Sequence, residues 1–231
     1  MHAAPLALTG VLFDWGHTLF DTAGSIGFIV DWSARAGRPI AEEDAAELHL
    51  AALQRSRRPE ELARGRDLSL ATHRECWIEL WSELDGRAPG LAAALHDFET
   101  GAAGWSPYPD AETVLVALKE RGIPVAVVSD VPFDLRPIFD HYGLLHLVDA
   151  IVLSGEHGSL KSEGTLFRLA LDAIGRAPQD VLMVGDNPAN DGAAVAAGIR
   201  TLLLPHPRRG EQRGLDVVLQ LVGTSADRSA S

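Results

Sequence analysis

From Tyr108 to Leu204 the chain repeats one pattern: a short apolar run, a breaker, then a stretch with helical spacing. The runs are Val125-Ala126-Val127-Val128, Ala150-Ile151-Val152-Leu153, Val181-Leu182-Met183-Val184 and Thr201-Leu202-Leu203-Leu204, and Leu8-Thr9-Gly10-Val11-Leu12-Phe13 is an earlier one of the same kind. Runs that are apolar throughout, rather than alternating, need cover on both faces, which is the condition of a parallel sheet wrapped by helices. The pattern therefore predicts an α/β fold, a doubly wound parallel sheet. Helices are expected over Pro109–Arg121 with Gly122 as C-cap, Phe133–Tyr142, Glu163–Ile174 and Ala193–Ala197. A last short element is expected over 215–222.

A different text separates the first run from the rest. Ser25 to Gly104 reads as helical without a convincing strand: Glu42–Arg57 stopped by Pro59, Leu70–Leu84, and Leu91–Ala103 ending at Gly104. This is a helical insert of about eighty residues by its breaker signals. In Leu70–Leu84 the residues Cys76, Trp77, Leu80, Trp81 and Leu84 repeat at helical spacing, so Trp77 and Trp81 share a face. That face either packs against neighbouring helices or forms an aromatic wall toward a ligand.

Composition narrows the function. With 231 residues, 46% of them hydrophobic and 23% charged, the chain can bury a sizeable core. A formal net charge of −12 would repel a phosphate backbone, so nucleic acid is not an expected partner. No apolar run approaches the roughly eighteen residues of a membrane helix, and no basic-then-apolar leader opens the chain. Cys76, the only cysteine, excludes an intrachain disulfide and a thiolate metal cluster. A cytoplasmic protein, monomer or homodimer, away from membranes, is the expectation. Lysine is scarce: Lys119 and Lys161 are the two in the chain.

Parallel strands joined by right-handed crossovers place their C-terminal ends on one edge of the sheet, where ligands bind. Asp14, Ser129, Lys161, Asp186 and Asp191 all fall just beyond a predicted strand or at a helix entrance. Singly, each has an ordinary reading as a cap, a turn residue or a surface charge. Together they form a coherent set, because carboxylates hold Mg²⁺ while a lysine and a hydroxyl hold phosphate oxygens.

These residues stand in motifs: Val11-Leu12-Phe13-Asp14-x-x-x-Thr18-Leu19, then Val127-Val128-Ser129-Asp130, then Lys161, then Val184-Gly185-Asp186-x-x-x-x-Asp191 followed by Ala193, Ala194, Ala197 and Gly198. In this order they resemble the haloacid dehalogenase-like superfamily of hydrolases, in the branch with a helical cap inserted after the first strand. The resemblance covers roughly residues 9–204. It implies a Rossmann-like core from 1–22 and 105–223 and a helical cap over 23–104; the small, polar stretch 224–231 reads separately as a disordered tail. It further implies that Asp14 is the nucleophile forming an aspartyl-phosphate, and that Asp14, Asp186, Asp191 and the carbonyl of Gly16 hold Mg²⁺. Ser129 and Lys161 would hold phosphate oxygens, with Thr18 and Asp130 completing the substrate-binding set.

One departure matters chemically. Family phosphatases carry a second aspartate two residues after the nucleophile, and Gly16 stands there. The carbonyl contact to a metal survives this change; general acid catalysis by that side chain does not. His17, one residue further on, is the candidate substitute acid. Ser162 also replaces a proline that often follows the third-motif lysine. Phosphonate-cleaving relatives need a cap lysine, and residues 21–108 contain none.

The expected function is a Mg²⁺-dependent phosphatase acting on a small phosphorylated metabolite. The alternatives are a catalytically impaired relative that binds a phospho-ligand or a protein, and a dehalogenase-type hydrolase. Phe20, Ser25, Phe28, Trp32 and the arginines 55, 57 and 58 are candidates for substrate selection, the arginines having also the plainer reading of a solvated charge run.

Overall fold

The computed structural model describes residues 8–205 and 211–223. These residues divide into two compact units, one formed by the described residues within 1–21, 107–130 and 134–231, the other by 22–106 and 131–133. Residues 1–7, whose sequence predicts a loose terminus, and the expected disordered tail over 224–231 lie outside the described residues.

The first unit carries the sheet. Its strands are β1 (Gly10–Phe13), β4 (Val125–Ser129), β5 (Ala150–Leu153), β6 (Val181–Gly185) and β7 (Arg200–Leu203), in spatial order β5-β4-β1-β6-β7. The pairings are parallel, with Leu12 opposite Ala126 on one side and Met183 on the other. The mixed α/β architecture with a parallel core is the one the apolar runs predict. Side chains alternate between faces: Leu12, Ala126, Val128, Val152, Val181 and Met183 fall in one buried cluster with Leu166, Phe167, Ala170 and Leu171. Strand order reverses at β1, so the C-terminal end of β1 is the topological switch point, the expected place for a ligand in an open sheet.

Two short strands, β2 (Phe20–Thr22) and β3 (Trp105–Pro107), pair as a separate ribbon at the ends of the insert. The sequence reading missed them, because three residues carry no periodicity.

The second unit is helical: α1 (Ser25–Arg35), α2 (Glu42–Ser56), α3 (Pro59–Leu62), α4 (Leu70–Leu80), α5 (Ser82–Arg87) and α6 (Leu91–Glu99). The helix expected over Leu70–Leu84 is thus two helices. Trp81, at φ −94° and ψ 17°, breaks it, and the bend keeps Trp81 and Leu84 buried together. Trp77 stacks on Trp81 with ring centroids 4.8 Å apart, and His49 lies on the other ring contact of Trp81 at 6.3 Å. The aromatic stripe therefore belongs to the packing of this unit. The helix expected to reach Ala103 stops at Glu99 and gives way to a 3-10 turn over Ala102–Gly104. A Cβ at Gly104 would lie 2.6 Å from the carbonyl oxygen of Phe98, so the turn requires glycine there.

In the first unit the remaining helices are α7 (Ala111–Glu120), α8 (Arg136–His141), α9 (Ser154–His157), α10 (Thr165–Ile174) and α11 (Val218–Leu221). α8 begins three residues later than expected, at the turn where Asp134 accepts from the backbone N–H of Arg136. α10 begins at Thr165 rather than Glu163 because Gly164, at φ 77°, separates it from a 3-10 turn over Lys161–Glu163. The segment after β6 is a 3-10 helix over Asp191–Ala197.

Candidate active site

β1 ends on Phe13, and the backbone N–H of Asp14 donates to the carbonyl of Val184 at 2.8 Å, carrying the β1–β6 ladder one residue beyond the strand. Asp14 is thereby fixed beside the end of β6. The chain then turns tightly: the carbonyl of Trp15 accepts from Leu19 at 2.9 Å and Phe20 at 3.0 Å. Thr18 is fully buried, and its hydroxyl donates to Oδ2 of Asp14 at 3.4 Å.

Lys161 comes from the 3-10 turn ahead of α10 and is 2% exposed. Its Nζ donates to Oδ1 of Asp14 at 2.5 Å and to Oδ1 of Asp191 at 2.8 Å. The carboxylate of Asp130, just past β4, accepts from the backbone N–H of Lys161 at 2.8 Å and so sets where that lysine starts. Burial by itself pushes the ammonium of Lys161 down, but Asp14, Asp191 and Asp130 more than offset this and hold it above its ordinary value.

Asp191 is fully buried and uses both oxygens. Oδ1 meets Lys161, while Oδ2 accepts from the backbone N–H groups of Asp186 at 3.0 Å and Asn187 at 2.9 Å. This closeness requires Gly185, where a Cβ would lie 2.2 Å from Oδ2 of Asp191. One oxygen from each of Asp14, Asp186 and Asp191 lies within 4.8 Å of the others.

Three carboxylates around a single lysine leave the site short of positive charge. Burial raises the Asp14 carboxyl to about 7, with Lys161 opposing and the nearby Asp191 and Asp186 adding to the rise. A group of oxygen donors that disfavours its own ionisation in this way fits a hard divalent cation, which would relieve the repulsion.

Ser129, the last residue of β4, is buried next to β1 in the sheet, while the carboxylates of the acidic cluster are joined through Lys161, Thr18 and backbone N–H groups. His17 has a left-handed backbone, φ 57°, and its Nδ1 lies 3.3 Å from Oδ1 of Asp21, with the imidazole 39% exposed. Of the expected selection residues, Phe20 is spent on the core, packed on Phe139 at 5.0 Å and Tyr142 at 5.8 Å. Phe28 stacks on Phe98 at 4.4 Å. Arg55 donates to Glu83 and to the carbonyl of Leu80, and with Arg58 it lines a cavity of about 250 Å³ that also touches Glu60, Glu61 and Glu79.

Arg213, which the sequence reading passed over, reaches the same region. It is 3% exposed, and its Nε donates to the carbonyl of His17 at 2.7 Å. No periodicity or motif marks it in the sequence.

The family model for haloacid dehalogenase-like hydrolases matches residues 8–198, most of the chain. The protein belongs to this family. Among relatives of this haloacid dehalogenase-like hydrolase is a phosphoserine phosphatase of Thermus thermophilus, 39% identical over 106 residues, a match covering 45% of this chain and 43% of that protein. The chain thus matches less than half the length of that relative. A ribulose-1,5-bisphosphate 5-phosphatase of Halopiger xanaduensis is 29% identical over 212 residues, covering 84% of each protein. A solved structure described as a dehalogenase with an intermediate complex superposes with a TM-score of 0.66 at 19% identity, covering 95% of this chain and 99% of the other, which speaks to the fold. No helix of the described residues is long and apolar enough to cross a membrane.

Proposed function

We propose that this hydrolase cleaves phosphoric monoesters of small metabolites and uses Mg²⁺. The observation that carries the reading is the convergence of Asp14, Asp186 and Asp191 within 4.8 Å, with buried Lys161 bridging Asp14 and Asp191. The phosphatase names of the relatives point the same way, toward small phosphorylated substrates.

In this reading a carboxylate oxygen of Asp14 attacks phosphorus in line. The P–O bond to the leaving group breaks, and the leaving oxygen takes a proton. Water then cleaves the aspartyl-phosphate, releasing phosphate and restoring the carboxylate. Asp14, Asp186, Asp191 and the carbonyl of Gly16 are the groups that would hold Mg²⁺, which when bound supplies charge neutralisation between the carboxylate and the phosphate dianion. Lys161, bonded to Asp14, opposes the effect of burial on that carboxylate and orients it, and with Ser129 it holds the equatorial oxygens of the phosphoryl group. Gly16 supplies no acid. His17, steadied by Asp21, is the group that gives the leaving oxygen its proton. The reading places the helical unit as the cap that selects substrate, and the protein in the cytoplasm as a monomer or homodimer.

Turnover of p-nitrophenyl phosphate with and without Mg²⁺ tests this, because its leaving group needs little protonation. Metal-dependent hydrolysis that Asp14→Asn abolishes is the expected result. Hydrolysis that survives Asp14→Asn would remove the nucleophile from the scheme, and release of halide from 2-chloropropionate in place of phosphate would favour dehalogenase chemistry. Binding without any turnover would favour the impaired relative.

A further inference from the structure

We infer that Arg213 is a positioning residue for the metal-binding turn, holding the backbone around Gly16 and His17 in the shape that presents the Gly16 carbonyl to a cation. The inference rests on the metal-assisted reading above and names a residue outside the motifs that define it.

The argument begins with strain. His17 is the one non-glycine residue with positive φ among the described residues, at 57°. A left-handed side-chain-bearing residue is strained and persists only where its surroundings over-determine it. Two hydrogen bonds do this. The N–H of His17 donates to the carbonyl of Phe20 at 2.6 Å, and the carbonyl of His17 accepts from Nε of Arg213 at 2.7 Å. Because each peptide is planar, the first bond fixes the plane that contains the Gly16 carbonyl, and the second fixes the plane on the far side of His17. With both planes held, φ and ψ of His17 have no freedom left.

Arg213 is anchored elsewhere on the same edge. Its other nitrogens donate to the carbonyls of Leu204, at 2.9 Å, and Pro205. Leu204 in turn donates its N–H to the carbonyl of Gly185 at 2.8 Å, immediately before Asp186. One guanidinium thus ties the Gly16–His17 turn to the strand end that carries Asp186. The segment bearing Arg213 is itself clamped: Asp110 accepts from the backbone N–H groups of Arg213 at 3.0 Å, Gly214 at 2.7 Å and Leu215 at 2.8 Å. The guanidinium lies 5.8 Å from the ring centroid of Tyr108. A buried cation answered by backbone carbonyls uses the planar fork of arginine, which lysine cannot reproduce.

Metal binding measured directly on the full chain, by Mn²⁺ electron paramagnetic resonance, separates the possibilities, together with the Mg²⁺ half-saturation and KM for p-nitrophenyl phosphate. Arg213→Gln is expected to weaken metal binding about ten- to hundred-fold, the usual effect of losing an outer support of a metal ligand. KM at saturating metal stays within about twofold, and Arg213→Lys falls between wild type and Arg213→Gln. Should Arg213→Gln fail to fold, Asp110→Asn, which weakens the clamp on the same segment, decides: weaker Mn²⁺ binding with native circular dichroism supports the inference. Wild-type Mn²⁺ affinity in a folded Arg213→Gln or Asp110→Asn variant, with only a lower melting temperature, would make Arg213 a plain strut and leave the proposed function standing. Failure of the wild-type chain to bind Mn²⁺ at all would overturn both.

Discussion

A methyl group on Gly185 would lie 2.2 Å from Oδ2 of Asp191, a distance no side chain can yield around, since that carboxylate is pinned by two backbone N–H groups and Lys161. Gly185→Ala is therefore expected to displace Asp191, cost about 1–3 kcal/mol of stability as an overpacked contact, and cut turnover at least as deeply as Asp191→Asn. Thermal melting and p-nitrophenyl phosphate hydrolysis, measured on both variants, check this. At this scale much was legible beforehand. Asp14, Lys161, Asp186 and Asp191 stand at strand ends or helix entrances in the sequence, and in the structure they are joined by hydrogen bonds or by oxygens within 4.8 Å. Arg213 was not legible: a lone arginine in an aperiodic segment gains meaning only from the three carbonyls folded around it. Asp110 stands at the N-terminus of α7, where a capping side chain is common, yet its carboxylate accepts from the backbone of residues 213–215 instead.

Between elements, the strands of the sheet could be read because burial on both faces writes itself as uninterrupted apolar runs. The break at Trp81 could not, since neither glycine nor proline marks it; the structure shows Trp81 buried there against Trp77 and His49. Trp81→Ala should cost about 3–5 kcal/mol, as for other large buried aromatics, with faster hydrogen exchange in α4–α6. The contact of α4 with α6 also carries a pH response. Nε1 of Trp77 can only donate, so Nε2 of His73, 3.0 Å away, must accept, which leaves the proton of His73 on Nδ1, facing Nε2 of His96 at 3.0 Å. Burial, with His96 and Arg66 adding to it, lowers His73 to about 3. The unfolded chain takes up this proton near pH 6.5 and the folded one does not, so stability present above about pH 6.5 is lost as the pH falls toward 3. Near-ultraviolet circular dichroism should show a lower melting temperature at about pH 4.5 than at about pH 7.5, and His73→Gln should shrink that difference.

For the whole molecule, the cation site proposed at Asp14, Asp186 and Asp191 predicts a response of stability to divalent cations. A ligand that binds the folded state alone stabilises it by about 2.7 kcal/mol at a hundred times its dissociation constant. Mg²⁺ is accordingly expected to raise the melting temperature of the wild-type chain and to leave Asp186→Asn unmoved, whereas Na⁺ at equal ionic strength should shift neither protein.

The pairing of β2 with β3 has a consequence for how such a chain can change over time. Because the residues that depart toward the helical unit and those that return from it run side by side, insertions and deletions among the intervening helices need not tug on Asp14 or its neighbours. Lineages could exchange the helices for new ones while inheriting the chemistry untouched.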